Sequence, residues 1–255
     1  MRANLLATRE EVYNSPIINW NSEYYTPVAN STIMDLIEKG INESDFHVKS
    51  TEFRVARNSV GAIRGVIGAY NLETDDNDYG QKIMFRNSYD KTMSFAIVQG
   101  MHVWICSNGC ISGEYQYRRK HLGIEDGEST TTMRDVINAI EYSFDNMKLS
   151  YNKTKDELNS FKEISISEDE VINTLGKLFL IDDTITPTQL SIVKRELYSS
   201  KNFKHMNEDG FTAYDFYNHI TEALKTSHPL NYVSSHVAVH SMFQGLYLKR
   251  KFDNN

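Results

Sequence analysis

The chain's only two cysteines, Cys106 and Cys110, lie in VWICSNGCISG (residues 103–113), where an apolar run meets a short polar turn. Three chemistries are open to them. With His102 and His121 they would offer four ligands suited to zinc. Their four-residue spacing and the lack of a second cysteine pair depart from the usual ligand pairs, so no metal site is expected. A thiolate at Cys106 would need a base and an orienting group. His121 and Asp90 have the right types, but nothing in their spacing forces them together. The third reading is structural: Asn108-Gly109 favours a tight turn, so Ser107-Asn108-Gly109 would reverse the chain after a central strand, with Cys106 facing the core.

His236 and His240, four apart, would share a helical face, but no glutamate completes a zinc-protease HExxH pattern. They are expected on the polar flank of a helix whose other face carries Val233, Val237 and Phe243. The glycines of GAIRGVIG (61–68) sit among strand residues and do not open a helix, and no GxxxxGK[ST] loop is present, so nucleotide-phosphate loops are not supported. No cofactor is expected.

The remaining constellation is basic and aromatic. Arg54, Arg57, Arg64 and Arg86 all fall in strand-like segments. Tyr115 and Tyr117 stand beside Arg118, Arg119 and Lys120. Guanidinium and ammonium groups take phosphates and rings stack on bases, which suits single-stranded nucleic acid. The alternative is a solvated sheet surface whose charges are laced to the many acids.

These residues need elements to place them. In the first half, TEFRVAR, GAIRGVIGAYNLE, QKIMFRNSY and TMSFAIVQGMHVWIC read as successive strands joined by short turns such as ETDDNDYG, which predicts an antiparallel sheet. STIMDLIEKG before them predicts a helix capped by Ser31 and ended by Gly40. From Ser129 the period changes. Met133, Val136, Ile140, Phe144, Met147 and Tyr151 recur at three and four, predicting a long amphipathic helix opened by Thr132 and Asp135 and continuing toward Phe161. Ser167 with Glu170 and Thr186-Pro187-Thr188-Gln189 are capping signatures, a further helix begins near Thr212, and Pro229 precedes a last helical segment. The fold class is α+β: a twisted antiparallel sheet in the N-terminal half, then a helical C-terminal half. Residues 1–125 form the mainly β portion and 126–255 the mainly helical portion, packed as a single domain.

The 255 residues, 40% hydrophobic and 24% charged, suit a globular chain. No apolar run reaches the roughly 18 residues that span a bilayer, so no membrane partner is expected. The first residues lack a secretory pattern, and the expected location is cytoplasmic. The net charge of −7 means that any nucleic-acid surface must be local.

FRNSYDKTMSF (85–95), VWICSNGC (103–110), RRKH (118–121) and FTAYDFYNHITEAL (211–224), in this order, resemble a family of phage- and plasmid-like proteins of unknown function that includes the prophage proteins YafZ and YfjQ. The matching positions are Asn87, Ser88, Asp90, Cys106, Asn108, His121, Tyr217 and Asn218. Lys91 stands where that family has a small residue, and His219 where it has alanine. The resemblance implies a mobile-element origin and a bacterial host cell, and supplies no activity. The sheet-then-long-helix order is similar, at the level of fold, to the core of Redβ, Erf and RecT-type annealing proteins. The leading expectation is a phage DNA-metabolism protein that binds single-stranded DNA and anneals it as a homo-oligomer. The second is a phage interaction protein that binds or inhibits a host protein. A cysteine enzyme built on Cys106 and His121 is the third.

Overall fold

Alternating apolar residues in the first half and three-and-four repeats in the second resolve into sheet and helix respectively. The computed structural model describes residues 6–18, 27–104, 108–111, 116–119 and 131–248. In chain order the elements are β1 (Leu6–Ala7), α1 (Arg9–Tyr13), α2 (Asn30–Asn42), β2 (Val48–Arg57), β3 (Ile63–Leu72), β4 (Tyr79–Ser88), β5 (Phe95–Val103), β6 (Asn108–Cys110) and β7 (Gln116–Arg119). The helices α3 (Thr131–Asp145), α4 (Met147–Lys162), α5 (Glu168–Gly176), α6 (Pro187–Ser199), α7 (Ala213–Leu224) and α8 (Pro229–Phe243) follow. Two π-helical turns, Lys177–Ile181 and Gln244–Leu248, extend α5 and α8. The α+β class and the order of its halves are as the patterning predicts.

Chain contacts divide the molecule into two compact units, Met1–Gly100 with Gly113–Ser150 and His228–Leu230, and Met101–Ser112 with Tyr151–Ser227 and Asn231–Asn255. These units group α3 with the sheet.

In the first unit, β2, β3 and β4 pair antiparallel as neighbours, β1 joins the outer edge of β2, and β7 pairs with the first residues of β5. One sheet face presents Phe53, Val55, Val66, Tyr70, Ile83, Phe85, Phe95 and Ile97 to Val12 of α1, Ile33, Met34, Ile37 and Ile41 of α2, and Val136, Ala139 and Ile140 of α3. Strand period two and helix period 3.6 thus bury one continuous core. Two glycines are there for space. Gly68 is paired between Phe53 and Phe85, and a Cβ on it would meet both rings. Gly40 lies under the Phe144 ring. Arg9 of α1 and the Tyr70 hydroxyl of β3 both donate to Glu38 of α2.

Several local expectations change. Gly40 lies inside α2, which runs on to Asn42, and the N-cap is Ala29 without a side-chain bond, in place of Ser31. The close helix approach at Phe144 outweighs the weak helix preference of glycine. Thr132 lies within α3, and the helix breaks at Asn146 to restart as α4.

In the second unit, Val103 pairs with Asn108, His102 with Gly109 and Met101 with Cys110. Asn108 and Gly109 therefore belong to the returning strand and do not make the turn. The helices pack through aromatic rings: Phe161, Phe216, Tyr217, Phe243 and Tyr247 are all buried, with Tyr217 and Phe243 centroids 5.0 Å apart, edge to face. Capping boxes open α5 at Ser167, α6 at Thr186 and α7 at Thr212. None of the helices of the described residues is long and apolar enough to cross a membrane.

Candidate functional site

Antiparallel pairing collects strand ends. The C-terminal ends of β2, β4 and β7 and the N-terminal ends of β3 and β5 meet at one end of the first unit's sheet. That end carries Arg57, Arg64, Arg86 and Lys91, and the positions of Arg118 and Arg119, whose backbone pairs with Ala96 and Phe95. The opposite end holds the β3–β4 turn with Glu73, Asp75, Asp76 and Asp78. The sheet is thus basic at one end and acidic at the other.

The four strand arginines do not line one face. Arg54 and Arg86 share a cross-strand row through Ile67. Ala69, Met84, Ala96 and Val98, whose alternation puts them on that face, are buried. Arg57 lies past a register shift at Ala56 and reaches Glu11 of α1 at 3.3 Å and the Gly61 carbonyl at 3.1 Å. Arg64 faces Asp90 at 3.4 Å. Arg86 donates to the Ser94 hydroxyl at 2.9 Å and its carbonyl at 3.2 Å. Arg54 is held by Glu52 at 2.6 Å with its side chain only 12% exposed, against 26% for Arg57 and 35% for Arg64. Arg57 and Arg64 are thus more accessible than Arg54.

The stretch NSYDKT, which carries part of the family resemblance, is a structural knot beside that end. Asn87 is fully buried and donates to the Val28 carbonyl and to Asn30 Oδ1, both at 2.8 Å. The Tyr89 hydroxyl accepts from the Asn30 backbone at 2.9 Å, at the first residue of α2. The Ser88 hydroxyl closes the β4–β5 turn onto the Met93 backbone in both directions. Asp90 accepts from the Thr92 backbone and hydroxyl. Lys91 then takes φ +63°, a left-handed conformation that glycine adopts without penalty.

Tyr115, Cys106, Lys120 and His121 lie outside the described residues, so the zinc and thiolate readings have no geometry to support them. His102 is buried in β5 with its ring 4.5 Å from that of Trp104. Asp90, the third member of the thiolate reading, is committed to its own turn and to Arg64. Among the described residues no group of three His, Cys, Asp or Glu could hold a metal ion.

The histidine pair departs from expectation. His236 and His240 are both fully buried, not on a polar flank. They share the buried side of α8 with Tyr232, Val233, Val239 and Phe243, while Asn231, Ser234, Ala238 and Ser241 form its exposed stripe. His240 Nε2 lies 2.8 Å from Glu157 of α4, and its Nδ1 lies 3.3 Å from the Tyr217 hydroxyl of α7. Gln244 donates to the other oxygen of Glu157 at 2.9 Å. Burial pushes the Glu157 carboxyl up, but His240, Gln244 and Lys153 together outweigh it and hold the group below its ordinary range. Asn218 donates to the Tyr214 carbonyl within α7 at 2.8 Å. His219 is buried, stacked on Phe211 and bonded to the Lys204 carbonyl, and burial holds it below the ordinary histidine value.

A family described as a domain of unknown function, DUF932, matches residues 18–242. The chain belongs to this family. No curated protein and no solved structure matches it. In this DUF932 chain, Asn87, Ser88, Asp90, Tyr217 and Asn218 therefore hold turns and helix contacts together within their own units. Sequence reasoning missed Glu157 and the carboxylate partners Glu11 and Glu52. Two signals were available: Glu52 and Arg54 are two apart on one strand and must share a face, and His236, His240 and Gln244 form a polar stripe at every fourth residue along α8 and into the π-helical turn that follows it.

Proposed function

We propose that this DUF932 chain is a phage or other mobile-element protein that binds single-stranded DNA in the cytoplasm of a bacterial host, annealing it as a homo-oligomer. The basic end of the sheet carries this reading, because it gathers Arg57, Arg64, Arg86, Lys91 and the positions of Arg118 and Arg119 in a chain whose net charge is −7. A local cationic end can draw in phosphate where the whole-protein field cannot. The carboxylate on Arg57 is a weak competitor: Glu11 is half-exposed, and such surface ion pairs contribute only about 0–1 kcal/mol. Phosphate can therefore exchange with it. The meander followed by a packed helix supports the annealing part of the reading by fold analogy alone.

The test is oligonucleotide binding by the full chain across a salt series. If Arg57, Arg64, Arg86 and Arg119 each take a phosphate, log affinity falls with log salt at a slope of about −3. The variant Arg57→Ala/Arg64→Ala should halve that slope, whereas Arg54→Ala should leave it unchanged. No binding at low salt, where phosphate contacts are strongest, would end the proposal.

A further inference from the structure

Both π-helical turns of the described residues line one groove in the second unit. Such wide turns are rare and occur frequently at functional sites. The groove encloses about 600 Å³. Its apolar lining is Ile172, Leu180, Ile181 and Leu246, and buried Thr174 and Tyr247 meet within it, hydroxyl to hydroxyl, at 3.3 Å. Ile172, Leu180 and Ile181 are 57%, 76% and 73% exposed, a concentration of exposed apolar surface of the kind that marks interaction sites.

Gly176 sits in the middle of this surface, four residues from both Ile172 and Leu180. It has ordinary helical angles, φ −59° and ψ −43°. A Cβ added to it would meet nothing within 4 Å. Neither backbone geometry nor internal packing calls for glycine here, and glycine is a poor helix former. What its lack of a side chain does provide is room for another backbone to lie close against α5.

Charge selects the occupant. Glu168, Asp169 and Glu170 stand in the first turn of α5, and Asp182 and Asp183 directly follow its π-helical turn, so carboxylates sit at both ends of the groove's α5 wall; Lys177 lies between them. A second copy of this segment laid along the first would bring acid against acid in either direction, and nucleic acid would be repelled. We propose that the groove binds an amphipathic helix of another protein, with an apolar stripe seated between Ile172, Leu180, Ile181 and Leu246 and flanking Lys or Arg residues meeting the terminal carboxylates. This is helix-in-groove recognition, and it is independent of the nucleic-acid reading, whose residues belong to the first unit.

The test uses two labelled synthetic helical peptides with one leucine pattern, bearing lysine in one and glutamate in the other, titrated with the full chain. The Leu/Lys peptide should bind saturably and less tightly as salt rises. The Leu/Glu peptide should bind at least about tenfold more weakly, as should the Leu/Lys peptide to Gly176→Leu and to Leu180→Asp/Ile181→Asp, since central apolar contacts dominate such interfaces. Thermal melts of both variants should show no loss of stability against the parent. The proposal is overturned by absent saturable binding, by equal binding of both peptides, or by unchanged binding to folded variants. It is equally overturned if sedimentation shows a dimer of the chain that the same variants abolish, which would make a second copy the occupant. Should the two variants not fold, Lys177→Glu, an exposed change that adds a carboxylate to the groove, should tighten Leu/Lys binding; unchanged or weaker binding counts against the site.

Discussion

Removing His240 offers the most direct probe of how the second unit is held together. Its ring is fully buried and bridges Glu157 on α4 and Tyr217 on α7. The variant His240→Ala leaves the Glu157 carboxylate, 9% exposed, with Gln244 as its remaining hydrogen-bond donor. A buried carboxylate left short of a hydrogen-bond donor costs about 1–3 kcal/mol or more. Replacing both partners by apolar residues removes the desolvation penalty along with the attraction. Glu157→Leu/His240→Leu should therefore be more stable than either single leucine variant, with a coupling of about 1.5–3 kcal/mol, the range of a hydrogen bond to a charged group. Urea unfolding followed by circular dichroism, run as a double-mutant cycle at neutral pH, measures this. Additivity to within about 0.5 kcal/mol would refute the claim that the two side chains act as a pair. The pH dependence is a second check. The folded Glu157 carboxyl lies below its ordinary value of 4.5, so the unfolded chain binds more protons between the two values. Its contribution is present in full above pH 4.5 and is lost as pH falls through the depressed folded value. The parent should lose stability over that interval more steeply than Glu157→Leu.

Three further variants test other parts of the fold by thermal or chemical melts. Gly68→Ala puts a methyl group into the Phe85 ring and 2.9 Å from Phe53 Cε1, and should destabilise the first unit by about 1–3 kcal/mol through overpacking. Lys91→Gly relieves the left-handed backbone at φ +63° and should stabilise by about 1 kcal/mol; a loss of stability would show that Lys91 makes a contact worth more than the strain. Gly176→Ala adds a methyl group in open space on a helix and should raise stability by about 1 kcal/mol.

How much of this was legible in the sequence varied with the range of the interactions. The strands of TEFRVAR, GAIRGVIGAYNLE and QKIMFRNSY follow from period-two burial and short turns, and the caps at Ser167, Thr186 and Thr212 from side chains that bond three residues away. These effects span a few residues, so residue order alone determined them. The α+β class came with them. Gly40 shows where that reasoning stops. As a local signal glycine ends a helix, but the Phe144 ring, more than a hundred residues away, makes it an interior contact. Asn108-Gly109 reads as a turn, yet strand pairing with His102 and Val103 made it part of a strand. The arginines on β2, β3 and β4 were visible as strand residues. Only the tertiary pairing decided that Arg57 and Arg64 stand at one end of the sheet, and that Arg54 and Arg86, in one row, turn to Glu52 and to Ser94. Likewise, His236 and His240 were recognisable as a helical pair, but their burial and the meeting of His240 with Glu157, 83 residues earlier, depend on which helices pack together. Hydrogen-bonded periodicity is a property of neighbours along the chain. The environment of a charged side chain is set by residues that only folding brings close, and in this protein the candidate sites are made of such environments.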